Sequence, residues 1–160
     1  MEKIVFGNAV RSFADDLSSS DIKSAEQDLG IKFPGSLVAF YKEVNGGYFV
    51  RNCWKSCSEE IYIVGQILPI KYTLRASKMS LENSYCVLRD KNMLPDSFVP
   101  FAMDLGGNYF CVGGKDEKIY WLSHEHSIED EFDKAVTMIS NGIKAFVSEL
   151  VSEEDVEDYL

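Results

Sequence analysis

The segment Ile22 to Gly47, IKSAEQDLGIKFPGSLVAFYKEVNGG, constrains the fold more than any other, because it carries both the periodicity and the punctuation of two short helices. Ser18 and Asp21 precede the first apolar residue at the spacing of a capping box, in which each side chain satisfies an orphan N–H at the helix start. Ile22, Ala25, Glu26 and Leu29 then follow the helical period, and Gly30 supplies the left-handed stop that glycine enters without steric cost. Pro34 suits the first turn of a second helix, where its missing N–H has no intrahelical partner. Leu37, Phe40, Tyr41 and Val44 give that helix one apolar face, Asn45-Gly46-Gly47 closes it, and Tyr48, Phe49 and Val50 begin a strand.

Beyond this pair, Tyr48 to Val50, Ile61 to Val64 and Ile67 to Ile70 are short runs of β-branched and aromatic residues, the pattern of an antiparallel meander. The intervening RNCWKSCSEE reads as a loop. Its Trp54 either folds back on the core or stands exposed at an interface. Leu74 to Asp90 has a helical pattern with Leu81, Tyr85 and Leu88 on one face. Phe98 to Ala102, Asn108 to Val112 and Lys118 to Leu122 read as three more strands, joined by Gly106-Gly107 and Gly113-Gly114 turns. From Ile128 the chain reads as helical, with Phe132, Val136 and Ile139 on one face and Ile143, Phe146, Val147 and Leu150 on another. The expected fold is therefore α+β: one domain over 1–160 with its core over 18–150, an N-terminal helical pair, a central, mostly antiparallel twisted sheet of about six strands and flanking C-terminal helices. The acidic end, 151–160, is expected to fray.

Two blocks resemble the SUKH superfamily, the domain of yeast cell-wall-assembly regulators and of many bacterial immunity proteins that neutralise toxins. The first matches the family's recurring Glu, Leu-Gly, Pro, aromatic and Asn-Gly-Gly through Glu26, Leu29, Gly30, Pro34, Phe40, Asn45, Gly46 and Gly47. The second, Phe98 to Val112, is similar to the family's strand, Asp, Gly-Gly-Asn, strand element through Asp104, Gly106, Gly107 and Asn108, with Ile119-Tyr120-Trp121 as the next strand. Where the family usually opens a final helix with Ser-Phe, this chain has Gly142-Ile143, then Phe146. These motifs speak for fold more strongly than for activity.

Charge sets the expected partner. Residues 1–124 carry fifteen acids and fourteen bases, whereas 125–160 carry eleven acids and two bases, so −9 of the formal −10 lies in the last quarter. Such a field opposes nucleic acid and anionic membrane surfaces and attracts a basic partner. Gly106-Gly107-Asn108 is followed by a strand rather than a helix N-terminus, which argues against a phosphate loop. The basic cluster of Lys71, Arg75 and Lys78 has no aromatic stripe beyond Tyr72 and reads as local charge balance. No apolar run approaches the roughly 18 residues of a membrane span, and the N-terminus lacks a signal peptide's apolar core, so a cytoplasmic location is expected. Cys53, Cys57, Cys86 and Cys111 lack metal-site or disulfide spacing and are expected as free thiols, Cys86 and Cys111 packing as small hydrophobes. His124 and His126 form an HxH for which Asp104 is the candidate third metal ligand, but two histidines just after a strand need no metal. No catalytic group or cofactor is expected.

The resemblance implies an immunity protein, encoded beside a toxin that is often a nuclease, acting by binding the toxin's active domain. An acidic surface meeting a basic cleft would occlude it. The candidate partner-binding residues are Glu129, Asp130, Glu131, Asp133, Glu153, Glu154, Asp155, Glu157 and Asp158, with Trp54 added as an aromatic anchor. The loop around Trp54 and the strand face near Trp121 are the next surfaces to search. An intracellular adaptor of the cell-wall-regulator kind and a small enzyme using His124, His126 and Asp104 are the rival readings. A monomer is expected.

Overall fold

A computed structural model describes residues 2–73 and 79–157 of the chain. A hairpin of β1 (Glu2–Val5) and β2 (Asn8–Arg11) comes first, ahead of the helices. Its two turn residues, Phe6 and Gly7, both have positive φ, 50° and 80°, the turn handedness that matches the twist of the flanking strands. This hairpin lies outside the expected core because its strands are only four residues long and its turn is Phe-Gly rather than Asn-Gly.

Helix α1 (Ser19–Leu29) begins at Ser18 with the expected capping box: Asp21 N–H donates to Ser18 Oγ and Ser18 N–H to Asp21 Oδ2, each at 3.0 Å. It ends at Gly30, φ 68°. Glu26 fixes the exit, its Oε2 accepting the Phe33 N–H at 2.7 Å. Helix α2 (Gly35–Glu43) buries Leu37, Phe40 and Tyr41. Pro34 stands one place before the expected first turn, at the N-cap, with extended ψ of 146°.

The strands β3 (Tyr48–Phe49), β4 (Cys53–Lys55), β5 (Ile61–Ile63) and β6 (Gln66–Ile67) follow, then α3 (Leu81–Asp90), β7 (Val99–Met103), β8 (Tyr109–Val112) and β9 (Ile119–Leu122). Of the segment 74–90 expected to be helical, 74–78 lies outside the described residues. The short α4 (Phe132–Ala135), β10 (Val136–Ser140), α5 (Ile143–Glu149) and α6 (Glu153–Val156) complete the chain. All strand pairs are antiparallel, in a five-stranded sheet of order β10-β9-β8-β7-β6, a three-stranded sheet β1-β2-β3 and the hairpin β4-β5. The bridge Gly47–Ile67 joins the three-stranded sheet to the five-stranded one, and the bridge Cys53–Val151 ties β4 to the segment between α5 and α6. The mixed α+β, mostly antiparallel architecture agrees with the expectation.

Alternation along β8 and β9 gives the large sheet two faces. Phe110, Val112 and Ile119 enter the main core with Phe40, Tyr41, Phe101, Phe146 and Val147, while Cys111, Leu122 and Val136 pack with Leu88 and Leu94 on the other side. Phe146 of α5 lies 6.1 Å from Phe101 and 5.7 Å from Phe110, ring centre to ring centre.

Four expectations are corrected. Residues 53–55, read as loop, form β4, because Trp54 and Tyr62 pair across a hairpin. Residues 136–140, read as helix, form the edge strand β10: Val136, Thr137 and Ile139 are β-branched, and the ladder to β9 outcompetes a helix that stops after four residues. Phe132, expected to share a helical face with Val136 and Ile139, ends in the short α4 at 49% exposure, while Val136 and Ile139 pass into β10. Cys53 and Cys111 are buried and Cys57 and Cys86 exposed, all four free; Cys86 is therefore not packed as a hydrophobe, because it faces away from the buried Leu81 and Leu88 side of α3.

Candidate functional site

The motif residues build a scaffold. Asn45 is fully buried: its Oδ1 accepts the Ile70 N–H at 2.7 Å, and its Nδ2 donates to Asp15 O at 2.8 Å and Ile70 O at 2.9 Å. One side chain thus stitches three chain segments. Gly46 and Gly47 both have positive φ, 67° and 129°, and a Cβ on Gly47 would sit 2.9 Å from Ser12 Cα and closer still to the Arg11 carbonyl. Asn8 does similar work unannounced by the sequence, donating from Nδ2 to Arg51 O at 2.8 Å and Val147 O at 3.3 Å and accepting the Arg51 N–H at 3.2 Å.

Asp104 is equally committed. Oδ1 accepts the Gly106 and Asn108 N–H groups, each at 2.9 Å, and Oδ2 accepts Asn108 Nδ2 at 3.0 Å and Trp121 Nε1 at 3.3 Å. Gly107, φ 88°, makes this the hairpin turn the sequence implied. Asn108 Oδ1 in turn accepts from His124 N at 3.0 Å and lies 2.7 Å from His124 Nδ1, whereas His126 Nδ1 pairs with Glu131 at 2.7 Å. Asn108 thus stands between Asp104 and His124, bonded to both, while His126 turns to Glu131. Among the described residues no three His, Cys, Asp or Glu side chains are grouped to hold a metal ion.

The carboxylates proposed from sequence fall in two stretches. Glu129, Asp130, Glu131 and Asp133 lie between β9 and β10 or in α4, and Glu153, Glu154, Asp155 and Glu157 lie in or beside α6; all are exposed. Asp158 lies outside the described residues. Glu129 accepts from Asn92, Glu153 from Asn52 at 3.2 Å, and Asp155 from Ser152 Oγ at 2.9 Å. The hydrogen bond from His126 holds the Glu131 carboxyl below its ordinary range. Among the described residues the carboxylates of Asp130, Asp133, Glu154 and Glu157 have no hydrogen-bond or ion-pair partner, which leaves their charge free to act outward. Lys71 of the basic cluster is spent on Asp21 at 2.8 Å, and Arg75 and Lys78 lie outside the described residues.

Trp54 belongs to the core: it is 8% exposed and its ring centre is 5.3 Å from that of Phe146. Its role as an exposed anchor therefore gives way to packing. The aromatic surface lies next to it instead. The β4–β5 hairpin stacks over the large sheet so that Tyr62 meets Trp121 edge to face at 5.3 Å, and a groove of about 610 Å³ opens beside the pair, lined by Glu59, Glu60, Tyr62, Asp104, Leu105 and Trp121 among others. A second cleft of about 550 Å³ on the other side of Tyr62 is lined by Glu60, Glu149 and the β10 residues Thr137 to Ile139. Tyr62 OH donates to Glu60 Oε2 at 2.9 Å; partial burial and that carboxylate push the phenol up to about 12. Trp121 was flagged in the sequence, but Glu59, Glu60, Tyr62 and Leu105 carry no motif.

Among the described residues no helix is long and apolar enough to cross a membrane. No curated protein matches the chain. One solved structure, of a protein from Pseudomonas syringae pv. tomato, is 18% identical over 69% of this chain and 70% of that one, with a TM-score of 0.47. A family model described as the SMI1 / KNR4 family (SUKH-1) matches residues 16–149, which takes in both helices, the Asn45 knot, the Asp104 turn and the whole five-stranded sheet. On that match the chain belongs to the SMI1 / KNR4 family (SUKH-1).

Proposed function

We propose that this protein is an immunity protein, a non-catalytic cytoplasmic monomer that binds a cognate toxin domain with a basic surface and blocks its active site. The observation that carries the reading is the concentration of exposed carboxylates after residue 124, six of which, on Glu125, Asp130, Asp133, Glu149, Glu154 and Glu157, have no partner within the described residues. Uncompensated exposed charge does little for the fold, since surface ion pairs contribute about 0–1 kcal/mol even when formed. It does much for association: a single-signed field steers an oppositely charged partner and can raise the on-rate by a factor of about 10 to 1,000. A basic nuclease cleft, which holds phosphates with Lys and Arg, is the kind of surface such a field selects. Membership of a family that includes immunity proteins supports the same reading.

The test is growth protection. The toxin-sized domain encoded beside this protein is expressed alone or with it in cells, and the two proteins are co-purified. Restored growth together with a stoichiometric complex is the expected result. Absence of a complex with that neighbour, and a stable complex with an intracellular regulator instead, would favour the adaptor reading.

A further inference from the structure

The groove beside the Tyr62–Trp121 pair has a chemistry the acidic C-terminal quarter lacks. Three carboxylates and no base stand among its lining residues, and they differ in availability. Asp104 contributes charge but its oxygens are taken by four donors. Glu60 has one oxygen committed to Tyr62 OH. The Glu59 carboxylate has no partner among the described residues, while its backbone, at φ 66°, closes the hairpin turn by donating its N–H to Ser56 O at 3.0 Å. Leu105, 90% exposed, forms an apolar rim.

The geometry points to this groove as the receptor for an arginine side chain of the partner protein. The inference rests on the protein-binding reading above and names the chemistry of the partner's anchor. A guanidinium is planar and weakly hydrated, so it stacks on an aromatic face while its fork of N–H groups reaches carboxylates at the edge. Here Tyr62 and Trp121 offer the rings, Glu59 and the free oxygen of Glu60 the acceptors, and Leu105 an apolar surface for the methylene stem. A lysine ammonium, compact and strongly hydrated, uses only part of this set.

Amide and indole NMR of the full chain, titrated with N-acetyl-Ala-Arg-Ala-amide at low salt, tests it. The chain has two tryptophans, so the Trp121 indole N–H is assigned by its survival in Trp54→Phe. Saturable shifts of the Trp121 indole and of the Glu59 to Tyr62 amides are expected. Replacing the arginine with neutral citrulline should weaken binding about ten-fold or more, and lysine should bind about three-fold more weakly, in line with the cost of a lost charge or a lost stack. The double variant Glu59→Gln, Glu60→Gln should weaken the arginine peptide about three-fold or more while leaving the rest of the spectrum in place. No saturable shift in the groove, equal binding of citrulline, or an unaffected double variant would overturn the proposal. Peptide binding in the groove without growth protection would overturn the immunity reading and keep the groove; protection without any groove shift would do the reverse.

Discussion

Asn45 and Glu154 are both polar residues in short polar runs, and the molecule uses them in opposite ways. Asn45 is fully buried and its amide makes three hydrogen bonds, all to backbone of other segments. Glu154 is exposed and has no partner among the described residues. The same contrast separates the Asn45-Gly46-Gly47 knot and the Asp104 turn from the acidic stretches 129–133 and 153–157. Residues that make the family recognisable are those whose geometry the fold cannot do without. The residues proposed to select a partner are free of the fold and therefore carry no motif.

The sharpest way to break this contrast is to mutate the knot. Asn45→Ala leaves two backbone groups, the Ile70 N–H and the Asp15 carbonyl, without partners, while the Ile70 carbonyl keeps the Tyr72 N–H, and should cost about 4 kcal/mol by denaturant unfolding, at about 1–3 kcal/mol for each orphaned group. A loss below about 1 kcal/mol would mean that water reaches those groups and that Asn45 is not a structural clamp. Next in size is the difference between two glycines. Gly47→Ala combines φ 129° with a clash against backbone and should cost about 3 kcal/mol, whereas Gly30→Ala has φ 68° but nothing within 4 Å, and should cost about 1 kcal/mol. Equal losses would show that conformation alone matters and close approach does not.

A smaller effect comes from Asp21, which belongs to both worlds, capping α1 while facing solvent. Its hydrogen bond with Lys71, reinforced by the Ser18 N–H, lowers the carboxyl from 3.8 to about 2. Because the folded value lies below the unfolded one, its contribution is fully present above about pH 4 and is lost as pH falls through about 2. Stability measured against pH for the wild type and Asp21→Asn should therefore converge on acidification across that window. Parallel curves from pH 4 to pH 2 would remove Asp21 from the acid response.

How much of this was legible in the sequence depended on whether the deciding contact was local. The bounds of α1 and the stop after α2 were legible because Ser18, Asp21, Gly30 and Asn45-Gly46-Gly47 act on neighbouring residues. The Asp104 turn was legible for the same reason. Strand β10 was not, because Val136, Thr137 and Ile139 become a strand only through a ladder to β9, and their spacing fits a helix equally well. Trp54 was ambiguous until the pairing Trp54–Tyr62 turned it towards Phe146. The groove is assembled from residues 59–63, 104–106 and 121, three segments that no sequence window contains together. The charge of the last quarter was plain, but not that Glu131 and Glu153 are engaged by His126 and Asn52 while Asp130 and Glu154 are not.

The exposed carboxylates of the C-terminal quarter are proposed to act on encounter rather than on folding. The most direct measurement is the association rate with the cognate toxin domain, for the wild type and for a variant carrying Asp130→Asn, Asp133→Asn, Glu154→Gln and Glu157→Gln, at salt from about 0.01 M to about 0.15 M, over which the screening length falls from about 30 Å to about 8 Å. For the wild type the rate should drop by about ten-fold or more across that range, the variant should associate more slowly with a flatter salt dependence, dissociation should change less, and unfolding free energy should shift by no more than about 0.5 kcal/mol. Identical association rates for the two proteins at low salt, with protection intact, would contradict the claim and leave these acids as a solvated surface.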